Sequence, residues 1–251
     1  MAVVRQKLGC EHDVSEFYSP PRVVKMAKEL GMRGGVSLDL TVPASDGYVW
    51  DFSRKHCRDK ALQIIHDKKP LFLMLSPECT PYSNIQNLNM RTPEGKEKVE
   101  RARRKGDVHL RFCATLARTQ MEGGRYFVYE HPQSAKSWEN PAIERLMAEE
   151  GVMRVELDQC EFGLLSEDEL GKAPAKKPTS LLTNSVEVQR TMGVKCRGGH
   201  RHVHLVAGRA RAAAHYPAKF CKALCKGMRR QARVDASGMM STRILEGLRE
   251  E

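Results

Sequence analysis

Residues 71–83 read LFLMLSPECTPYS, an apolar run that changes abruptly into a polar loop. A short apolar run between Pro70 and Pro77 predicts a fully buried strand, and the loop after it lies where sites occur in open α/β sheets. RYFVYEHP at residues 125–132 repeats the pattern, and a charged stretch from about 96 to 121 with helical apolar spacing separates the two. A strand, a helix and a strand in this order predict two parallel neighbours that end at one edge of a sheet.

The same alternation continues on both sides of this unit. We expect further helices at residues 22–32, 56–67, 141–150 and from Pro217 onward, and further strands at 36–40, 48–53, 152–157 and within 176–184. Alternating strands and helices predict a Rossmann-like α/β fold, in which a mostly parallel sheet has helices on both faces.

Charge is concentrated in one part of the chain. The 251 residues include 42 Lys and Arg and 31 Asp and Glu, a net charge of +11. Residues 171–234 contain fifteen of the basic residues and a single acidic residue, Glu187, so this segment carries +14 and the rest carries −3. A basic segment of this kind indicates a surface that faces a polyanion, usually nucleic acid; the alternative is a solvated basic face without a partner.

Composition disfavours several other classes of protein. The N-terminal segment lacks the apolar core of a signal peptide, and no apolar run reaches the roughly 18 residues that a membrane-spanning helix needs. The eight cysteines contain no Cys-x-x-Cys pair, so free thiols are expected rather than a disulfide framework. We therefore expect an intracellular protein, nuclear if its source is a eukaryote, that has no membrane partner.

Two strand ends each present a reactive side chain in a proline-marked turn. Cys79 in SPECTPYS is a candidate nucleophile, and Glu130 in FVYEHP is a candidate acid. In this respect the sequence resembles the DNA cytosine-5 methyltransferases, whose nucleophile loop has a Pro-Cys core and whose acid follows at the end of the next strand. The resemblance implies that Cys79 and Glu130 are catalytic, and that Lys177 and Thr179, which occupy positions usually held by arginines, are catalytic residues as well.

Other motifs follow in the order of that family between residues 36 and 228. LDL at residues 38–40 resembles its first cofactor-binding strand, WDF at 50–52 its adenine-contacting turn, and AHYPAKFCKALCKG at 214–227 its closing helix. The match is closer still to methyltransferase-like segments of retroelement polyproteins. The resemblance implies a class I methyltransferase fold and the cofactor S-adenosylmethionine, in contact with Asp39, Leu40, Asp51, Phe52, Pro77, Tyr216 and Pro217.

The chain departs from the family at several places, and one of them is His131, which stands where the family has an asparagine after the acid. Glu78 stands beside the nucleophile, although the thiol needs a positive neighbour such as Lys177 or Arg91 to ionise. In addition, TVPASDG at residues 41–47 contains a single glycine, and only 40 residues separate Asp39 from Cys79. One strand–helix unit, which carries the ribose-binding acid in the family, is therefore expected to be missing.

The motif order also divides the chain. Residues 1–35 are expected to form an N-terminal extension, 36–184 the catalytic core, 185–215 a reduced target-recognition segment, and 216–251 the closing helix and a basic tail. Duplex DNA with one cytosine flipped out of the stack is the implied partner, and RNA is the alternative. The residues expected to contact nucleic acid are Ser83, Asn87, Arg91, Lys176, Arg197, His200 and Arg201.

The segment CRGGHRHVHL at residues 196–205 permits two interpretations. Alternating histidines suit a strand that faces DNA, but they also offer imidazole donors for a tetrahedral zinc site whose spacing matches no standard finger. The sequence therefore assigns no metal, and zinc remains an alternative. Its donors would be Cys196, His200, His202 and His204, completed by Cys160, Cys221 or Cys225.

Two functions follow from these observations. The first is an S-adenosylmethionine-dependent DNA methyltransferase that methylates position 5 of cytosine through a covalent cysteine adduct. The alternative is a catalytically degenerate methyltransferase-fold module from a mobile element, which binds nucleic acid through its basic segment.

Overall fold

The computed structural model describes residues 1–43, 47–206 and 208–247, with the backbone alone at residue 211 and from 240 onward. Within these ranges the chain forms a six-stranded sheet and a separate two-stranded hairpin. The sheet contains β1 (Val14–Phe17), β2 (Gly34–Leu38), β3 (Phe72–Leu75), β4 (Tyr126–Pro132), β5 (Met153–Asp158) and β8 (Pro178–Thr183), and the hairpin contains β6 (Leu165–Asp168) and β7 (Gly171–Pro174).

The strand order of the sheet is β2-β1-β3-β4-β8-β5. Parallel registers join β1 to β2, β1 to β3, and β3 to β4. The exception is β8, which lies antiparallel to β4 on one side and to β5 on the other. The sheet is therefore mostly parallel, as expected from the alternation of elements.

Helices cover both faces of the sheet. One apolar cluster packs α3, α5 and α6 against it, and a second cluster packs α2, α7 and α9 against the opposite face. The helices of the described ranges are α1 (Ala2–Leu8), α2 (Val23–Glu29), α3 (Lys55–Lys68), α4 (Gln86–Asn89), α5 (Pro93–Glu122), α6 (Pro141–Met147), α7 (Val186–Met192), α8 (Arg209–Ala212) and α9 (Ala218–Gly247). None of them is both long enough and apolar enough to cross a membrane.

The strand at residues 36–40 was expected to be the first of the sheet, and this prediction is wrong. A central strand, β1, precedes it, and the expected strand is β2 at the edge. The residues of β1 read VSEF, and because Ser15 and Glu16 are polar, the sequence pattern does not predict a buried strand here. All four side chains are nevertheless fully buried. Residues 1–35 are therefore part of the core rather than an extension, and the strand–helix unit that was expected to be missing is present as β1, α2 and β2.

Two further expectations differ from the structure. Residues 48–53 form no strand, because Asp51 accepts hydrogen bonds from the Ser53 backbone and hydroxyl and so caps a turn ahead of α3. Residues 185–215 are not one segment, because α7 packs against α9 in the core and only the residues after it leave the sheet. Residues 44–46 of the TVPASDG loop, residue 207 and residues 248–251 lie outside the described ranges.

A basic appendage (residues 165–174, 195–206 and 208–213) projects from the end of β5. The Arg201 guanidinium pairs with Asp168 at 2.7 Å, and the Val203 amide donates to the Pro174 carbonyl at 2.9 Å. Its own apolar core is small, since Leu164, Ala175 and Ala213 are the buried members of the cluster beneath it. The appendage thus joins the hairpin to residues that were expected to take part in target recognition.

The Glu16 carboxylate connects β1 to the helix that follows. It accepts hydrogen bonds from the backbone N–H groups of Arg22, Val23 and Val24 at 2.9–3.1 Å, and from the Ser37 hydroxyl at 3.0 Å. The first N–H groups of a helix have no partner within the helix, so this buried carboxylate satisfies them. Burial raises the pKa of Glu16, and the four hydrogen bonds oppose that rise.

We predict that Glu16→Ala lowers the free energy of unfolding by about 2–4 kcal/mol, because several buried N–H groups lose their acceptor. Glu16→Gln is expected to cost less, since the amide keeps one acceptor oxygen and removes a buried charge. Urea denaturation of both variants and of Ser37→Ala measures the difference. Equal stability of Glu16→Ala and the unmodified protein would refute this role.

Candidate active site

The candidate site lies where the strand order reverses. The chain passes from β1 to β2 on one side and then to β3 on the other, and open α/β sheets bind ligands in the crevice at such a point. Tyr18 and Ser19 follow β1 at this edge, and the loop from Ser76 to Cys79 follows β3. Tyr18 has a φ of 62°, a left-handed conformation that is rare for residues other than glycine and that often marks functional sites.

Strand pairing brings the two candidate catalytic loops together. Leu75 of β3 is in register with Tyr129 of β4, so the next residues, Ser76 and Glu130, are neighbours. The Tyr216 hydroxyl lies 3.0 Å from Glu130 Oε2, to which it donates, and 2.9 Å from the Ser76 Oγ. Glu130 Oε1 is buried and accepts no hydrogen bond from the described residues. Glu130 Oε2 therefore already accepts a hydrogen bond from Tyr216, whereas Oε1 is available to another donor.

Cys79 is half-buried at the start of a short 3₁₀ turn. Burial raises the pKa of its thiol to about 11, and the negative charge of Glu130 adds to the rise. The charge of Lys177 opposes it, whereas Glu78 raises the pKa further. Cys79, Glu130 and Lys177 thus interact in one place, but the resting thiol is protonated at neutral pH rather than acidified.

Lys177 has an unusual backbone conformation. Its φ is 28°, and it precedes Pro178, a position that normally favours extended backbone. The Lys177 Nζ donates to the Ala213 carbonyl at 3.1 Å, which ties the residue to the appendage. Thr179 is fully buried, and its hydroxyl donates to the Lys177 carbonyl and accepts from Gln159 Nε2. Thr179 therefore positions Lys177, a role that differs from the catalytic one that the resemblance implies.

His131 is a site residue that the sequence reasoning noted only as a departure from the family. Its ring is fully buried, its Nδ1 contacts the Ser137 hydroxyl, and its Nε2 donates to the Pro77 carbonyl at 3.2 Å. Burial lowers the pKa of His131 to about 3, so the ring is neutral and keeps one tautomer at physiological pH. His131 thus connects the Cys79 loop to β4. Pro77, which was expected to contact the cofactor, supplies the carbonyl oxygen that accepts this hydrogen bond.

The residues expected to contact a cofactor fall into separate groups. Asp39 directly follows β2 and accepts a hydrogen bond from the Thr41 amide at 2.8 Å, and Phe52 lies in the core against the ring of Tyr18. Leu40 and Asp51 line one open cleft of about 530 Å³ beside the edge strand. Tyr216 contacts Glu130, as described above, and the adjacent Pro217 is half-buried before α9.

The residues expected to contact nucleic acid lie in two regions. Asn87 and Arg91 are exposed in the segment after Cys79, where Ser83 is half-buried; Lys176, Arg197 and His200 are exposed on or beside the appendage. The expectation for Arg201 needs correction, because its guanidinium pairs with Asp168 and donates to the Gly171 carbonyl. That side chain holds the hairpin in place and is not free for a phosphate.

Comparison with known proteins adds no assignment. No protein-family model matches the chain, and no curated protein sequence matches it.

Reactivity of Cys79 tests the charge balance at the site. We predict that the rate of Cys79 alkylation by iodoacetamide rises with pH through pH 9, because the pKa of its thiol is raised to about 11. Glu130→Gln removes a negative charge and lowers that pKa, so alkylation at pH 8 becomes faster. Lys177→Met removes a positive charge and slows alkylation, whereas Lys177→Arg preserves the charge and should leave the rate nearly unchanged.

Mass spectrometry of the Cys79 peptide measures these rates, and the exposed Lys222→Met serves as the control for loss of a positive charge elsewhere. A rate that reaches a plateau below pH 8, or that is indifferent to Glu130→Gln, would contradict the proposed electrostatic balance.

Proposed function

We propose that this protein is an S-adenosylmethionine-dependent DNA methyltransferase that modifies position 5 of cytosine. The observation that carries the proposal is that the loop after β3 carries Cys79 beside β4, which carries the buried, partly unpaired Glu130 carboxylate, close enough for the charge of Glu130 to raise the pKa of the Cys79 thiol. A nucleophile for carbon 6 and an acid for ring nitrogen 3 of the same pyrimidine are the groups that this reaction requires. The mostly parallel α/β sheet is compatible with the class I methyltransferase fold that belongs to the proposal.

In the proposed reaction, the sulfur of Cys79 adds to carbon 6 of a flipped cytosine while Glu130 donates a proton to ring nitrogen 3. Proton transfer from the thiol to Glu130 creates both reactive forms at once. It also neutralises the charge of Glu130, which contributes to the high pKa of Cys79. After methylation, solvent takes the proton from carbon 5, the carbon–sulfur bond breaks to release the Cys79 thiolate, and ring nitrogen 3 returns its proton to Glu130.

Neighbouring groups orient these two residues. Tyr216 donates to Glu130 Oε2, which leaves Oε1 for the base, and His131 holds the loop of Cys79 through the Pro77 carbonyl. Lys177 supplies the positive charge that stabilises the thiolate. The cofactor, when bound, supplies an electrophilic methyl group.

The residues present fit S-adenosylmethionine better than a dinucleotide. Asp39 directly follows β2, 22 residues after Phe17 ends β1, and an acid at about this spacing binds a ribose hydroxyl in Rossmann-like folds. The Glu16 carboxylate occupies the start of α2, where a dinucleotide would place its pyrophosphate. A nucleoside cofactor without phosphate avoids this repulsion.

Nucleic acid as the partner is supported by charge. The +14 of residues 171–234 includes the exposed Lys176 and Arg197, and cationic surfaces of this kind contact phosphates. Extraction of a cytosine from duplex DNA requires that both strands be held, which such a surface assists. RNA is the alternative substrate, and binding to either should weaken steeply as salt increases.

The high pKa of Cys79 favours a second candidate function, a module with this fold that binds nucleic acid without catalysis. Calorimetry distinguishes the two. A catalytic protein binds S-adenosylmethionine, whereas a degenerate module shows salt-dependent binding of nucleic acid with no heat from the cofactor.

The central prediction concerns the covalent step. The unmodified protein should transfer labelled methyl groups to cytosine-containing duplex DNA and form a stable adduct with 5-fluorocytosine DNA, which cannot lose its substituent at carbon 5. Cys79→Ser should abolish the adduct while leaving DNA affinity, measured by fluorescence anisotropy, within about twofold, because the change removes no charge.

Cys10→Ser is the matched control, since Cys10 is a buried thiol bonded to the Leu8 carbonyl. It should leave transfer and adduct formation unchanged. Absence of both methyl transfer and adduct with the unmodified protein on DNA would exclude the proposed activity, and transfer to RNA alone would reassign the substrate.

A second prediction concerns the cofactor. Asp39→Asn should weaken binding of S-adenosylmethionine by about tenfold, because a neutral amide is a poorer acceptor for the ribose hydroxyls than a carboxylate. Thr41→Val removes a neighbouring hydroxyl that donates to Asp39 and should change the affinity far less. Titration calorimetry measures both, and an unchanged dissociation constant for Asp39→Asn would place the ribose elsewhere.

A further inference from the structure

Four metal-binding side chains converge at the base of the basic appendage. The ligand atoms of Cys160, Cys196, His200 and His202 all lie within 4.8 Å of one another. Cys160 belongs to the 3₁₀ turn after β5, and the other three belong to the segment after α7. Residues separated by 36 positions thus meet at one point, although the site proposed above requires none of them.

The spacing of these atoms is that of ligands around a tetrahedral ion. Cys196 Sγ lies 3.6 Å from His200 Nε2 and 3.5 Å from His202 Nε2. A tetrahedral zinc ion with Zn–S of about 2.3 Å and Zn–N of about 2.0–2.1 Å places sulfur and nitrogen about 3.6 Å apart. Two thiolates and two imidazoles are also a donor set that zinc prefers in structural sites.

The backbone around Cys196 is shaped to hold a thiolate. The Gly198 amide donates to Cys196 Sγ at 3.4 Å, and Gly198 and Gly199 have φ values of 83° and 81°. Consecutive left-handed residues are easily adopted only by glycine, so the Gly-Gly pair allows the turn that returns His200 to Cys196. The Cys196 amide in turn donates to Oδ2 of the buried Asp158, at 2.9 Å. This bond fixes the turn against the end of β5.

We propose that Cys160, Cys196, His200 and His202 form a structural zinc site. Four protein ligands fill a tetrahedral ion and leave no open position for a substrate, so the site stabilises the fold rather than performs catalysis. Binding of Zn²⁺ displaces the two thiol protons to solvent, and the site becomes a neutral complex of two thiolates and two imidazoles.

The structure also explains why this part of the chain needs a metal. Residues 193–206 form neither helix nor strand, and among the side chains that the structure describes the apolar cluster beneath the appendage has three buried members. A small segment with so little core commonly depends on a metal for its stability. The zinc ion would join the appendage to β5, beside Gln159, whose amide donates to the Lys176 carbonyl.

The proposal selects among the cysteines and histidines that the sequence left open. Cys221 and Cys225 are buried within α9, where Cys225 Sγ contacts the Val23 carbonyl, and they lie outside the cluster. His204 is exposed and is not a member either. His200, which was expected to contact nucleic acid, is assigned to the metal instead.

The test begins with the metal content of the full chain, purified without chelators. Mass spectrometry with inductively coupled plasma should find one zinc per chain. Replacement by Co²⁺ should give the intense visible bands of tetrahedral cobalt together with thiolate-to-cobalt charge-transfer bands in the near ultraviolet. Absence of zinc, combined with no spectral change when Co²⁺ is added to the reduced protein, would overturn the proposal. A disulfide between Cys160 and Cys196 that persists in the presence of a reductant would also overturn the proposal.

Variants locate the site. His200→Ala changes an exposed side chain, so the protein should still fold but lose at least tenfold in zinc affinity, measured by competition with a chromophoric chelator. Cys196→Ser should lose the charge-transfer intensity of one thiolate. His204→Ala and Cys221→Ser are matched controls that should keep full zinc content. Loss of zinc in His204→Ala with retention in His200→Ala would refute the assignment.

Limited proteolysis gives a readout that is independent of activity. Removal of zinc from the unmodified protein should increase trypsin cleavage after Arg197 and Arg201 at least tenfold, while the circular dichroism of the sheet and its helices stays nearly constant. Addition of Zn²⁺ should restore protection. Equal cleavage with and without zinc would show that the ion does not order the appendage and would overturn its structural role.

Discussion

The candidate site depends on the parallel pairing of β3 with β4. Because Leu75 pairs with Tyr129, Ser76 and Glu130 emerge side by side, and the loop that carries Cys79 begins at the same edge. Every side chain of β3 is fully buried between the two helical layers, so a shift of the strand would expose apolar groups. Burial thereby determines the register, and the register places the two reactive groups.

Two uncharged side chains hold the segments of the candidate site together. His131 binds the loop of Cys79 to β4, and Tyr216 brings the segment before α9 onto Glu130. Opposing charges then determine the chemistry: burial and Glu130 raise the pKa of the Cys79 thiol, and Lys177 lowers it. In the proposed reaction, the carboxylate takes up a proton and hydrogen-bonds a pyrimidine ring nitrogen.

The proposed zinc site lies close in the chain to residues that connect the appendage to the candidate active site. Lys177 contacts the Ala213 carbonyl of the appendage, and the adjacent Lys176 carbonyl accepts from Gln159, next to the proposed zinc ligand Cys160. Order in the appendage therefore bears on the position of the lysine beside the thiol. The strained backbone of Lys177 is held by contacts from both sides.

The sequence alone determined the features that depend on local patterns. Apolar runs predicted β3 and β4, helical spacing predicted α3 and α5, and proline-marked strand ends identified Cys79 and Glu130. It missed β1, because the carboxylate of Glu16 is satisfied by backbone groups of α2 and by Ser37, and no local pattern shows a polar side chain paired in this way. Tertiary structure alone decided that Tyr216 meets Glu130 and that Cys160 joins Cys196, His200 and His202. These contacts cross 86 and about 40 residues of chain, and they exist only because packing of the sheet and its helices brings distant segments together.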